Sequence, residues 1–141
     1  MTQLTVHIGP FSFRATLEDE RAPRTSAAFR SRLPFEAQLV QARWSGEAGW
    51  VPLAAYDLGV GVENATSYPS TGQVLWHPPG LSEAELLVPY GSTCFSSRVG
   101  QLAGNHFLTI VDEDGALAEV GRRLLWEGAQ SIRFTLADPT A

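Results

Sequence analysis

The stretch Gln41 to Trp50, QARWSGEAGW, holds an arginine, two tryptophans, a glutamate and two glycines within ten residues. A guanidinium is a permanently charged planar fork that grips carboxylates through paired hydrogen bonds. Arg43, Trp44 and Glu47 are therefore expected at the floor of a site. Glu63 is a second carboxylate of interest. Two carboxylates in one cleft can drive their pKa values apart and divide acid and base work. The competing structural reading pairs one of them with Arg43 and uses the other to cap a turn. Arg43, Glu47 and Glu63 are the candidates for catalysis.

Five further residues have side chains suited to ligand contact. Trp44, beside Arg43, is read as an aromatic platform, whereas Trp50, Trp76 and Trp126 read as core. Asn64 either organises its loop through an Asx-turn or lends its amide to a ligand. Tyr90 ends a strand and its phenol can reach a pocket. Asn105 and His106 are neighbours on a strand, so regular alternation turns only one of them toward the site. The ligand-binding set is thus Arg43, Trp44, Glu63, Asn64, Tyr90, Asn105 and His106.

Other chemistries are not expected. All ten basic residues are arginine. Without lysine there is no Schiff-base, pyridoxal phosphate or P-loop chemistry. His7, His77 and His106 lack metal-ligand spacing, and Cys94 is the sole cysteine, so neither a metal site nor an internal disulfide is expected. Cys94 has no histidine near it in sequence and reads as a packed thiol. LGVGVE (58–63) lacks the glycine spacing and following helix of a dinucleotide site. No cofactor is expected. The net charge is −5 and the arginines are scattered, which argues against nucleic-acid binding.

These residues need elements to position them. LTVHI (4–8) and FSFRATL (11–17) read as strands around the Gly9-Pro10 turn. A helix is expected over 22–34, with Pro23 in its first turn and Pro34 ending it. Strand 35–44 would align Ala37, Leu39, Gln41 and Arg43 on one face, with Gln38, Val40, Ala42 and Trp44 on the other. Residues 49–63 read as strand then loop, and 63–72 as loop. Strands follow at 73–77, 85–91 and 105–111, with a loop over 96–104. Asp112 to Gly115 supply a capping cluster for the strongest helix, 116–129, which Gly128 ends. Leu117, Val120, Leu124 and Leu125 are expected to be buried. Strand 131–136 closes the chain, with Ile132, Phe134 and Leu136 inward.

At 141 residues and 44% hydrophobic composition the chain suits one domain spanning 1–141. At this size about 68% of the unfolded surface can be buried. No segment approaches the ~20 apolar residues of a spanning helix, and the N-terminus lacks a signal-peptide pattern. A cytoplasmic chain without membrane partners is expected, so the sequon letters at Asn64 carry no weight. Strands joined by turns, with helices near both ends, argue for an antiparallel barrel over a doubly wound sheet.

The first half resembles cyclophilins, through Ala22, Pro23, Thr25 and Phe29 of an AP-x-T-x-x-x-F helix and a following strand that ends in Arg43. Asn105-His106-Phe107-Leu108 stands where cyclophilins carry a Gln-Phe-Phe strand, and the last helix and strand are similar to that barrel's closing elements. The whole chain also resembles a small group of bacterial proteins of unknown function with a cyclophilin-like fold. That likeness rests on ARWSGE (42–47), EN-x-T (63–66), YG (90–91) and GNHF (104–107). Two departures from cyclophilins stand out. Ser45 to Gly49 replace a Gln-Gly-Gly-Asp stretch. Asp112 to Ala116 replace a longer segment whose tryptophan and histidine form part of the proline-binding wall.

The resemblance implies a mostly β fold: a cyclophilin-like closed barrel with two helices packed on its ends. The leading expectation is a pocket for a small polar or anionic ligand, anchored by Arg43. The guanidinium is expected to point inward, with Glu47, Glu63 or an anion in hydrogen-bond reach, since a lone buried charge costs several kcal/mol. One alternative is a peptidyl-prolyl isomerase, in which Arg43 would bond the prolyl nitrogen and lower a ~20 kcal/mol barrier. Another is a non-catalytic structural subunit that forms homo-oligomers.

Overall fold

Leu4, Val6 and Ile8 alternate with more exposed residues, as do Phe13, Ala15 and Leu17. Such alternation turns one face of each strand inward. In the computed structural model, which describes residues 1–138, these segments form β1 (Gln3–Ile8) and β2 (Phe11–Leu17), paired antiparallel from Gln3↔Thr16 to Ile8↔Phe11. The chain continues through α1 (Pro23–Arg30), β3 (Phe35–Gln41), β4 (Gly46–Pro52), β5 (Ala65–Thr66), β6 (Gln73–His77), β7 (Glu85–Thr93), β8 (Ser96–Ser97), β9 (Gly100–Gln101), β10 (Gly104–Val111), α2 (Ala116–Trp126) and β11 (Gln130–Leu136).

The sheet runs β2-β1-β11-β3-β4-β7-β6-β10, and β10 then pairs with β2 through Leu108↔Leu17 and Ile110↔Ala15. That last pairing closes an eight-stranded, wholly antiparallel barrel and removes its free edges. β5 is a short addition beside β10, and β8 and β9 form a separate hairpin. The barrel interior is filled by Leu4, Val6, Phe13, Leu39, Val51, Trp76, Leu86, Val88 and Phe134. Among the described residues, no helix is long and apolar enough to cross a membrane.

Each helix packs through its apolar stripe. Pro23 starts α1, and Phe29 meets Phe107, Phe134 and Phe35 at ring separations of 5.0, 5.1 and 5.3 Å. In α2, Leu117, Val120 and Leu124 are buried, whereas Leu125 is 58% exposed. The expected burial of Leu125 is therefore corrected, and so is the reading of Trp126 as core, since Trp126 is 80% exposed. A stripe can include positions i, i+3, i+4, i+7 and i+8, but α2 contributes only its Leu117-Val120-Gly121-Leu124 line to the core. The Asp112 carboxylate accepts from the Leu117 amide at 3.2 Å, and Gly128, at φ 95°, takes the left-handed turn that ends the helix.

Several boundaries move: α1 ends at Arg30, so Pro34 is not what stops it, β4 begins at Gly46, and α2 ends at Trp126. β3 stops at Gln41, so Arg43 and Trp44 lie on the β3–β4 turn and not on strand faces. The segments read as loops also contribute short strands, β5 within 63–72 and β8 and β9 within 96–104.

Candidate functional site

The seven ligand candidates lie in three places. Arg43 and Trp44 stand on the β3–β4 turn, Tyr90 lies under α2, and Glu63, Asn64, Asn105 and His106 gather where β10 meets α1 and the loop preceding β5.

The last group is a hydrogen-bonded latch. Glu63 Oε1 accepts from the Thr25 amide at 2.6 Å and from its hydroxyl at 2.8 Å. The buried Asn105 amide donates to Thr25 Oγ1 and to the Gly61 carbonyl, and its oxygen accepts from the Glu63 amide. Asn64, at φ 48°, donates its side-chain amide to the His106 carbonyl, and the His106 amide donates to the Asn64 carbonyl. These bonds fix the loop to the barrel.

His106 faces away from Asn105. A bulge in the β10–β6 register between His106 and Leu108 puts His106 and Thr109 on the same side. The imidazole Nε2 lies 2.7 Å from Thr109 Oγ1, whose hydroxyl donates to Glu18. Burial holds the His106 pKa below its usual range, with Glu18 partly opposing. Tyr90 donates to Gln41 Oε1 at 2.7 Å, and its ring lies against the backbone of Gly121. Burial raises its phenol pKa.

The open space lies elsewhere, on the outer face of the barrel. Glu85 and Leu87 point outward from β7, while Leu86 and Val88 point into the core. Leu87 joins Leu75, Ala42, Ala48, Phe95 and Leu102 in a second apolar cluster outside the barrel, with Trp50 against it. Phe95 and Leu102 anchor the segment carrying the β8–β9 hairpin. The buried Ser45 staples the β3–β4 turn to that segment: its hydroxyl donates to the Ser96 carbonyl at 3.1 Å and accepts from the Ser96 amide at 3.0 Å. A cleft of about 300 Å³ remains between the turn, the hairpin and the loop before β7. Arg43, Trp44, Trp50, Glu83, Glu85 and Arg98 supply most of its chemistry, and Leu81 and Val99 its apolar rim.

Glu85 is only 6% exposed, and among the described residues it has neither a hydrogen-bond nor an ion-pair partner. Burial, and then the neighbouring Glu83 carboxylate, push its pKa up to about 8. His77 sits directly across from it on β6, and burial lowers that histidine's pKa. At neutral pH the pair is therefore largely uncharged.

Arg43 lines this cleft, but its guanidinium is exposed and lies 5.5 Å over the Trp44 ring. The expected carboxylate partner is not there. Glu47 Oε1 accepts from the Ser92 amide and Glu63 is committed to Thr25, so neither reaches Arg43. An arginine on a turn keeps its hydration and needs no buried counter-charge, which removes the premise of that expectation. Sequence reading missed Glu83, Glu85 and Arg98, and it read Trp50 as core, whereas Trp50 is half-buried and lines the cleft. Glu85 carried a usable signal: it stands in phase with the buried Leu87 in ELLVPY, where a carboxylate is out of character. Arg98 and Glu83 carried none, because they reach the cleft only through the fold of their loops.

A closed eight-stranded antiparallel barrel with a charged, aromatic cleft on its outer wall defines the class of molecule. Residues 4–136 match the model of the family described as "Protein of unknown function (DUF3830)", and the chain belongs to that family. No curated protein matches it. Among solved structures, the chain is similar to McbB in complex with tryptophan, at a TM-score of 0.72 and 20% identity. That match covers 99% of this chain and 46% of McbB, so the chain spans under half of McbB's length. It is also similar to the solution structure of the hypothetical protein AF2241 from Archaeoglobus fulgidus, at a TM-score of 0.60 and 20% identity, over 96% of this chain and 95% of that one. At these identities the likeness is one of fold.

Proposed function

We propose that the outer cleft binds a small organic anion, with Arg43 and Arg98 holding its carboxylate and Trp44 and Trp50 its apolar body. The observation that carries this reading is the convergence of two arginines and two tryptophans on one cleft of about 300 Å³, drawn from three separate chain segments. Its rim leaves Trp44, Leu81 and Val99 at 54, 74 and 55% exposure, and an exposed apolar rim around polar groups is what a binding site presents. With Glu85 largely protonated at neutral pH, two cations face the single Glu83 charge, and the cleft favours an anion. The volume is at the small end for ligand pockets, which suits a metabolite-sized molecule. McbB was solved with tryptophan, so small-molecule binding by a chain with this barrel is in keeping with the proposal, although no residue is transferred from it.

The isomerase reading asks Arg43 to work beside an apolar groove with a proline-binding wall. Here Arg43 shares its cleft with a second arginine and two carboxylates, and we rank ligand binding ahead of isomerisation. The test is a tryptophan-fluorescence titration with 3-phenylpropanoate. Saturable quenching is expected, weakened roughly tenfold or more in Arg98→Ala, as befits the loss of a charge-assisted hydrogen bond. Wild-type affinity in both Arg98→Ala and the Arg43→Ala, Arg98→Ala double variant would remove the cleft as the site.

A further inference from the structure

Resting on that reading of the cleft, we infer that Glu85 and Glu83 receive an ammonium group, so that the ligand is a small zwitterion of the α-amino acid class. Glu85 is the most unusual side chain in the cleft. It is nine-tenths buried, lines the open space, and among the described residues has no donor to satisfy its two oxygens. Its oxygens open on the cleft and are not sealed in the interior, so a partner that brings N–H donors into the cleft gives them bonds the chain itself does not supply. Its surroundings identify that partner. Across the strands stand His77 on β6 and Pro52 on β4. Glu83 adds a second carboxylate from the loop before β7, and Arg43 and Arg98 line the cleft from the turn and the hairpin. A cation with several N–H donors meets both needs at once: it satisfies the Glu85 oxygens and neutralises the repulsion from Glu83. The arginines remain for a carboxylate, and the tryptophans for an apolar body between the two ends.

Proton linkage gives the inference a distinctive sign. Burial and Glu83 hold Glu85 protonated at neutral pH. An ammonium beside it favours the ionised form, so binding releases a proton to solvent, and affinity rises as pH climbs toward about 8. A ligand that merely accepts a hydrogen bond from the protonated acid behaves in the opposite way, binding more weakly as pH rises.

The experiment is calorimetry on the full chain with L-phenylalanine, 3-phenylpropanoate and 2-phenylethylamine, in buffers of different ionisation enthalpy, from about pH 6.5 to about pH 8.5. L-phenylalanine is expected to bind roughly tenfold or more tighter than 3-phenylpropanoate, which lacks only the ammonium. Proton release and rising affinity with pH should accompany it. Glu85→Gln should abolish both the proton release and the tenfold preference. Exposed Glu83→Gln should reduce the preference by a smaller factor, and it carries the comparison if Glu85→Gln does not fold. Equal or tighter binding of 3-phenylpropanoate, affinity that falls with pH, or an unchanged preference in the variant that folds would overturn the zwitterion inference and leave the anion reading standing. Failure of both L-phenylalanine and 3-phenylpropanoate to bind would overturn both.

Discussion

The Asn105 amide donates to the Thr25 hydroxyl at 3.1 Å, joining β10 to α1 across 80 positions of sequence. The same amide group holds Gly61 and Glu63, so one side chain secures the strand, the helix and the loop preceding β5. Asn105→Ala removes the partner of the Gly61 carbonyl and of the Glu63 amide and takes one of the two bonds of the buried Thr25 hydroxyl, which keeps its bond to Glu63. Unfolding in urea should show a loss of about 2–3 kcal/mol, the cost of leaving buried polar groups unmatched. A loss below about 0.5 kcal/mol, the usual scale of a surface change, would show that the latch closes without it.

Gly121 is where α2 meets Tyr90 of β7. A Cβ built there falls 2.1 Å from Tyr90 Cε1. Gly121→Ala therefore forces the helix or the ring to move, at about 1–3 kcal/mol, despite alanine's better helix propensity. The cost should shrink when Tyr90→Ala is combined with it, and a double-mutant cycle measures the coupling. Additive effects would show that the two residues do not share the space.

The legible parts of the fold were those governed by local period. FSFRATL read correctly because it buries one face and exposes the other. SIRFTL did so at Ile132 and Phe134, but Leu136 at its end is 51% exposed and not inward. QVLWH is a strand as expected, yet it is buried on both faces and does not alternate. The helix expected over 116–129 is there for the same reason as FSFRATL, but it ends at Trp126, and the stripe pattern wrongly included Leu125, which the actual packing line does not. The β5, β8 and β9 strands were invisible because two-residue strands have no period to detect. The site was harder still. ARWSGE gave four cleft residues, Ala42, Arg43, Trp44 and Ser45, but EN-x-T and GNHF belong to a structural latch on another part of the barrel. Which polar residues share a cavity is decided by non-local loop geometry. Glu83, Glu85 and Arg98 meet Arg43 only after the hairpin folds over the outer apolar cluster.

Leu124 and Leu125 are adjacent, yet only 3% of Leu124 is exposed against 58% of Leu125. Leu124→Ala should cost about 2–5 kcal/mol through lost burial and the cavity it leaves. Leu125→Ala should stay within about 0.5 kcal/mol. Thermal or urea unfolding of the two variants checks the rotation of α2 on the barrel, and similar losses would mean the helix sits differently.

Glu85 makes stability depend on pH. Its carboxyl has a pKa of about 8 in the folded chain against an ordinary 4.5, so between these values the unfolded chain gives up a proton that the folded chain keeps. Stability is then highest below pH 4.5 for this group and falls as pH rises toward about 8. Glu85→Gln, which does not titrate, should match the wild type near the lower end of that window. It should exceed the wild type by on the order of a few kcal/mol above its upper end. Parallel stability curves for the two proteins across this range would show that Glu85 ionises as freely folded as unfolded.

Arg43 should matter for binding and not for stability. Its guanidinium is exposed, stacks over Trp44 at 5.5 Å and forms no ion pair among the described residues. Arg43→Ala should therefore leave unfolding within about 0.5 kcal/mol of wild type. The affinity for 3-phenylpropanoate should fall about tenfold, since a charged hydrogen bond to the carboxylate is lost. Arg43→Lys is the sharper variant. It keeps the charge but replaces a planar fork, which can bond a carboxylate twice while lying on an indole, with a point charge that can do neither as well. If geometry governs recognition, lysine should recover only a small part of the loss. If lysine restores full affinity, Arg43 acts through charge alone. If neither variant changes the titration while Arg98→Ala does, the anchor belongs to the hairpin and not to the β3–β4 turn.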